Sequence, residues 1–360
     1  MRPSSGTVKS KGRPGDRVTT LLAGRRPDRV PFFPLGVRSF AAVNLGHSIG
    51  SSYSESEMNL EDQLLTQEQY GFDGFPYYAY GTYGVWEFGG ETKFPSGEFQ
   101  MAPSTVRFPV ETEEDVWKME LPDVRTAGAI PIAVSFSRAA EKAGAWVTTP
   151  TSGGVFTTAA NIPGIQKMCR WMLRKPELAH RLLRLATDHV VEVTQYWVDT
   201  FGPDIIAYTA EPSAANQIIS PKHFEEFVLP YTVEFHQKVL DTGIRHIMCH
   251  ICGEQNSNLP YWARVPMGDP GIVTFGHEVD LATAIEYFGD KCIIAGNIEP
   301  AVIQSGTHQE VYELCRVAIE KAKHAPRGFI MMSGCGFPPK APPYNVYVME
   351  KAVEELGWYE

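Results

Sequence analysis

His250 and Cys252 stand two positions apart at the end of an apolar run, 245–250, and Gly334-Cys335-Gly336 follows far downstream. If that run is a strand, the two side chains share a face, because successive side chains alternate. Cys335 completes a Cys₂His set. Such a set holds zinc through three protein ligands and leaves the fourth position open to substrate. Two thiolates and one neutral imidazole balance the charge of Zn²⁺. A substrate thiol entering the open position loses its proton, since a metal deprotonates a coordinating thiol outright. The site then carries one net negative charge and the new sulfur stays nucleophilic, which suits thiol alkylation better than hydrolysis. The gap of 83 residues between Cys252 and Cys335 is no zinc-finger spacing, so strand ends, not a compact knuckle, must bring these residues together.

The other candidates fall at the ends of neighbouring apolar runs. Glu211 follows IIAYTA, and Glu278 follows VTFGH. Either carboxylate could fill the fourth zinc position at rest and leave when a thiol arrives; Glu211 could equally be a loop or helix-capping carboxylate. Asn297 lies in Gly296-Asn297-Ile298-Glu299-Pro300, where an Asx turn competes with a place in the pocket. Tyr77 and Tyr80, with Tyr78, Tyr83 and Trp86, could form an aromatic wall for a cofactor or simply core. Cys249 points away from His250 on a strand and is not expected to ligate. Cys169, Cys292 and Cys315 read as packing residues.

These residues need elements to position them. Short apolar runs recur at 30–35, 72–78, 145–150, 204–209, 245–250, 272–276, 292–295 and 328–333, with amphipathic stretches such as 165–201, 222–241, 280–288 and 309–323 between most of them. Several runs are apolar throughout, as strands covered on both faces are. Eight strands with helical connections predict an α/β fold, a (β/α)₈ TIM barrel over 21–360, with active-site residues at the C-terminal strand ends. A doubly wound sheet is the runner-up, weakened by the absence of GxGxxG after a first strand. Residues 1–20 read as a flexible tail. Residues 81–126, rich in aromatics and Gly and then alternating like antiparallel strands, read as an insertion after strand two that forms part of a lid or wall. The acidic clusters 55–62 and 111–115 read as helix N-terminal turns or solvated faces.

Composition narrows the function classes. The 360 residues are 43% hydrophobic and 21% charged, with net charge −10 and a pI near 5.5. No basic stripe favours nucleic acid. No apolar run approaches the ~20 residues that span a bilayer. Met1 to Arg17 is polar and lacks the apolar core of a secretory signal, and six cysteines are too sparse for a disulfide scaffold; the expected compartment is the reducing cytoplasm.

The chain resembles the uroporphyrinogen decarboxylase superfamily and, within it, the cobamide-dependent methyltransferase branch. The resemblance runs from about residue 21 to the C-terminus. It is carried by Pro27-Asp28-Arg29-Val30-Pro31, Glu211 followed by Ile219-Ser220-Pro221 and 224–231, His250-Ile251-Cys252-Gly253, Gly296 to Pro300 and Gly334-Cys335-Gly336. It implies a (β/α)₈ barrel in which His250, Cys252 and Cys335 bind zinc. It also implies that the zinc activates a thiol, typically coenzyme M, to take a methyl group from a methylated corrinoid protein. True uroporphyrinogen decarboxylase has an arginine-rich RQAGRY-type segment after the first strand, whereas this chain has Pro34 to Phe40 with Arg38 as its one arginine. The expected function is therefore zinc-dependent methyl transfer between a corrinoid, methylcobalamin or a corrinoid protein, and a small thiol or other small methyl donor or acceptor. Two alternatives remain open. A metal-free decarboxylase of the same superfamily predicts a pocket lined by arginines. A non-catalytic tetrapyrrole- or corrinoid-binding protein predicts affinity without turnover.

Overall fold

The computed structural model describes residues 16–150 and 152–359. A two-stranded antiparallel hairpin joins β1 (Glu91–Lys93) to β2 (Ser104–Arg107). A six-stranded sheet runs in chain order from β3 (Ser152–Gly153) through β4 (Ile206–Ala210), β5 (His246–Ile251), β6 (Gly271–Phe275) and β7 (Cys292–Ile298) to β8 (Phe329–Ser333). All five of its pairings are parallel. Sequential parallel neighbours need a crossover at each step, and helices supply it.

The first two expected strands take their places without regular ladders. Phe32 bridges Met331 of β8 in parallel. Phe33 N–H donates to the Met331 carbonyl at 3.0 Å, and Asp73 N–H donates to the Phe32 carbonyl at 2.7 Å. Pro31, Pro34 and Pro76 lie in these segments. Proline has no N–H to give a ladder, so pairing stops at isolated bonds. The third run is also thin: Thr148 bridges Ile206, and Thr149 N–H donates to the Ile206 carbonyl at 3.0 Å. The expected barrel order is therefore present, with its early members held more loosely than periodicity implies.

Prolines also divide the helices. The stretch expected over 165–201 is two helices, Ile165–Arg174 and Pro176–Phe201, because Pro176 opens a new helix at its first position. The next stretch contains a π-helical turn, Phe224–Val228, ahead of the helix Leu229–Asp241. Pro230 removes the N–H that the Glu226 carbonyl would use, so the ladder widens there.

Alternation along the strands sorts two apolar layers. Ile206, Tyr208, Met248, Ile272, Ile293, Ile330 and Met332 point into an inner cluster. Ile247, Cys249, Ile251, Val273, Ile294 and Met331 face the helices. Each fully buried side chain of this kind contributes about 1.5–3 kcal/mol. Val18, Leu21 and Leu22 of the helix Asp16–Leu22 join the inner cluster. The expected tail over 1–20 is thus helical from Asp16; residues 1–15 lie outside the described residues.

Below this inner cluster lies a buried ion network. Arg17 Nε and Nη1 reach Asp28 Oδ1 at 2.6 Å and Asp73 Oδ1 at 2.7 Å, and Arg29 Nη1 reaches Asp73 Oδ2 at 3.2 Å. Phe32 N–H also donates to Asp73 Oδ2, at 2.9 Å. The Pro27 to Pro31 motif therefore anchors the chain entry. Within the insertion, the acidic residues after Thr112 open the helix Glu113–Lys118 with a capping box between Thr112 and Asp115. The hairpin places Met101 and Ala102 beside the mouth of the inner cavity.

One buried histidine sets an acid limit on the fold. His236 is fully buried, its Nδ1–H donates to the Pro266 carbonyl at 2.8 Å, and its Nε2 has no partner. Burial pushes its pKa down to about 4. The neutral ring is the folded form, so its contribution is complete above the unfolded value near 6.5. That contribution is lost as pH falls from there towards 4, by roughly 3 kcal/mol in all. The fold should lose urea stability between pH 7 and 4.5, and His236→Gln should lose distinctly less over the same interval; equal losses in the two proteins would remove His236 from the account.

Candidate metal centre

The strand ends bring the three soft residues together. His250 belongs to the inward-facing set of β5, and Cys252 follows two residues on, on the same side. Cys335 comes from the turn after β8, which Ser333 pins by donating its hydroxyl to the Cys335 carbonyl at 2.8 Å and accepting from Leu35 N–H at 3.1 Å. Ligand atoms of His250, Cys252 and Cys335 all lie within 4.8 Å of one another. The two sulfurs are 3.6 Å apart. Two thiolates 2.3 Å from a tetrahedral zinc sit about 3.8 Å apart, so the pair matches that spacing.

The imidazole is aimed by the neighbouring strand. In the parallel register His250 sits opposite Thr274 of β6. His250 Nδ1 and Thr274 Oγ1 are 2.6 Å apart. A Nδ1–H donated to Thr274 leaves the Nε2 lone pair for the sulfurs, and Nε2 is buried with no other partner. A metal-bound histidine needs that pattern: one nitrogen fixed by an outer partner, the other free to ligate. Thr274 was not foreseen, because only strand register makes it a neighbour. The two thiols share one hydrogen bond; it holds Cys335 well below the usual thiol range and pushes Cys252 up. The donor set therefore fits zinc in chemistry and geometry.

The carboxylates separate. Glu211 is fully buried and turned onto the N-terminus of the helix Val155–Asn161. It accepts from Phe156 N–H at 3.0 Å, Thr157 N–H at 2.9 Å and the Thr157 hydroxyl at 2.9 Å. Burial pushes its pKa up to about 7, against those hydrogen bonds. Both oxygens are engaged, so the expectation of Glu211 as a resting zinc ligand is corrected: it joins two strand-end loops. Gly154 is required there, since a Cβ would stand 2.1 Å from Glu211 Oε1. Glu278 keeps a buried Oε2 without a hydrogen-bond partner, 3.5 Å from His277 Nδ1. Its charge acts on the Cys252 thiol. Neither carboxylate belongs to the three-residue cluster.

Asn297 is likewise corrected. Its Nδ2 donates to the Gly276 carbonyl at 3.0 Å and the Val279 carbonyl at 2.6 Å, so it clamps the turn after β6 and does not line the cavity. Tyr77 and Tyr80 do line it, both nearly fully buried. The Tyr77 hydroxyl accepts from Gly36 N–H at 2.5 Å, and its ring meets Tyr208 edge-on with centroids 4.8 Å apart. Tyr80 donates its hydroxyl to the buried Glu87 carboxylate and presents its ring to the cavity.

That cavity has a volume of about 260 Å³, and His250 and Cys335 lie in its wall. Arg38 lies there too. Its guanidinium donates to the Ala79 carbonyl and the Tyr53 hydroxyl and stacks 4.0 Å from the Tyr53 ring centroid. Its Nε is buried with no partner. No carboxylate pairs with it among the described residues, so the cavity holds a cation beside two sulfurs. Charge patterning could have raised Arg38 as a candidate, since it is the one arginine after the first strand.

An α/β barrel with a thiol- and imidazole-lined centre at the C-terminal strand ends defines a class of enzyme fold, and sequence comparison places the chain within it. The chain belongs to the family described as uroporphyrinogen decarboxylase (URO-D), whose profile matches residues 13–356. It is 29% identical over 202 residues to methylated-thiol–coenzyme M methyltransferase of Methanosarcina mazei, a match covering 56% of this chain and 51% of that protein. It is 24% identical over 352 residues to methylcobamide:CoM methyltransferase MtaA of Methanosarcina barkeri, covering 94% of this chain and 97% of the other. The solved structure of a methyltransferase from Methanosarcina mazei superposes with a TM-score of 0.77 at 19% identity, covering 95% of this chain and 98% of that one; it shares the fold. No helix among the described residues is long and apolar enough to cross a membrane.

Replacing Thr274 with Val keeps the shape and removes the partner of His250 Nδ1. Thr274→Val should weaken zinc affinity by about 10–100-fold in a competitive chelator titration, with an unchanged circular dichroism spectrum. Unaltered affinity would show that the strand partner does not orient the ring.

Proposed function

We propose that this protein is a zinc-dependent methyltransferase that moves a methyl group between a corrinoid and a small thiol. The observation that carries this reading is the free Nε2 of His250 converging with the Cys252 and Cys335 sulfurs at a small cavity. His250, Cys252 and Cys335 would hold the metal. Zinc, when bound there, supplies Lewis acidity that keeps a coordinating substrate thiol deprotonated near neutral pH. Thr274 fixes the tautomer of His250, and Glu278 is the carboxylate free to occupy the open position at rest. Its negative charge beside Cys252 raises that thiol's pKa, so forming the thiolate there calls on the positive charge the metal would supply.

Arg38 supports a thiol that carries an anionic group. A cation with a buried, unpaired N–H favours an acceptor that bears charge. The sulfonate of coenzyme M, which the names of the relatives include, has that chemistry. Tyr77 and Tyr80 would form the aromatic wall that excludes water and faces the reacting partners. A cavity of this size takes a small molecule; the corrinoid, free or on a partner protein, would lie across its opening. The metal-free decarboxylase reading calls for several arginines, whereas Arg38 is the one arginine in the cavity wall among the described residues.

Purified protein should contain about one zinc per chain by elemental analysis, lost in Cys335→Ser with the fold retained. Zinc refused on reconstitution would overturn the proposal. With methylcobalamin and coenzyme M, Arg38→Ala should raise the thiol KM about 10–100-fold while leaving methylation of neutral 2-mercaptoethanol nearly unchanged. An equal loss with both thiols would remove Arg38 as the anion contact.

A further inference from the structure

A second cavity lies at the opposite end of the barrel. Its volume is about 680 Å³, well above that of the cavity beside the metal centre. It opens at the N-terminal ends of the strands, where Arg245 precedes β5, Asp269 precedes β6, Lys291 precedes β7 and Arg327 precedes β8. Five residue steps along β5 separate Arg245 at its rim from His250, roughly 17 Å at 3.3 Å per residue.

Its charge runs against that of the whole chain. Arg245, Arg264, Lys291 and Arg327 converge on one concavity of a protein with net charge −10. Asp269 is the one carboxylate in the lining among the described residues, and it is bonded to Arg327 at 3.1 Å. Arg264 has only the exposed Glu225, at 3.8 Å. Arg245 and Lys291 have no carboxylate within ion-pair distance among the described residues. Arg245 and Lys291 come from separate segments, add like charge that no carboxylate balances, and lie on a concave surface that focuses their field. Such an arrangement is unfavourable in the empty protein and is relieved by a multiply charged anion.

The remainder of the wall is apolar. Phe288 and Met267 are buried at its base, and Tyr287 presents a ring that is 41% exposed. A cationic rim over an aromatic wall complements a flat ring joined to phosphate, and the volume is that of a small organic ligand site. We infer that this cavity binds an organic phosphate of nucleotide size, with its phosphates on Arg245 and Lys291 and its ring against Tyr287. The site is independent of the metal centre and of the reaction proposed there.

Isothermal titration of the zinc-loaded full chain tests this with three probes: ADP, inorganic pyrophosphate and adenosine. ADP and pyrophosphate should each bind saturably, ADP more tightly, and adenosine should not. The double variant Arg245→Ala/Lys291→Ala should weaken both by at least about tenfold, while its zinc content and thiol methylation stay unchanged. Tyr287→Ala should weaken ADP and leave pyrophosphate unaltered. No saturable binding of ADP or pyrophosphate, adenosine binding as tightly as ADP, or full binding by the double variant would each overturn the assignment.

Discussion

The register between β5 and β6 is the constraint on which the site depends. It sets His250 against Thr274, and the alternation of β5 carries Cys252 to the same side as His250. A slip of one residue would turn every inward side chain of β5 to the helices. Met248 would then leave the inner cluster and Cys249 would replace the imidazole. Apolar burial on both faces of β5 thus fixes ligand geometry as firmly as it fixes the core. A metal held by His250, Cys252 and Cys335 need not contribute to folding; these residues are positioned by strands that are stable for other reasons.

Much of this was legible in the order of residues. The later strands were readable because runs such as Ile206 to Ala210 and Phe329 to Ser333 carry apolar residues on both faces, as doubly covered strands do. The earlier strands were less so, because Pro31, Pro34 and Pro76 suppress the ladder that apolar content suggests. The convergence of His250 and Cys252 was readable because His and Cys at a spacing of two share a face on any strand. Their supporting partners were not. Thr274 reaches His250 only through strand register, and the fate of Glu211 was decided by a helix N-terminus 54 residues away. Nothing adjacent to Glu211 in the chain distinguishes a metal ligand from a carboxylate that joins loops.

The two ends of the barrel illustrate a division of labour by charge. At the C-terminal end one cation, Arg38, sits in the cavity wall without a carboxylate partner among the described residues, its Nε buried. At the N-terminal end four cations sit around one concavity, where solvent screens each of them. The ion network of Arg17, Arg29, Asp28 and Asp73 lies in the same half but is internally balanced, and it orders the chain entry without addressing any ligand.

The described ends of the chain meet. Arg29 bridges Trp358, Val30 N–H donates to the Gly357 carbonyl, and Tyr359 N–H donates to the Asp28 carbonyl. The helix that plugs the inner cluster comes before β4 to β8 in the chain, and β8, against which Phe32 is seated, comes after the other strands of the sheet. Val18, Leu21 and Leu22 therefore keep their apolar faces uncovered until those later strands are in place. Contacts of such long sequence separation form late and slowly. Seating that helix and Phe32 is thus a late, non-local step, and apolar surface on the inner layer stays open to other chains until it is complete.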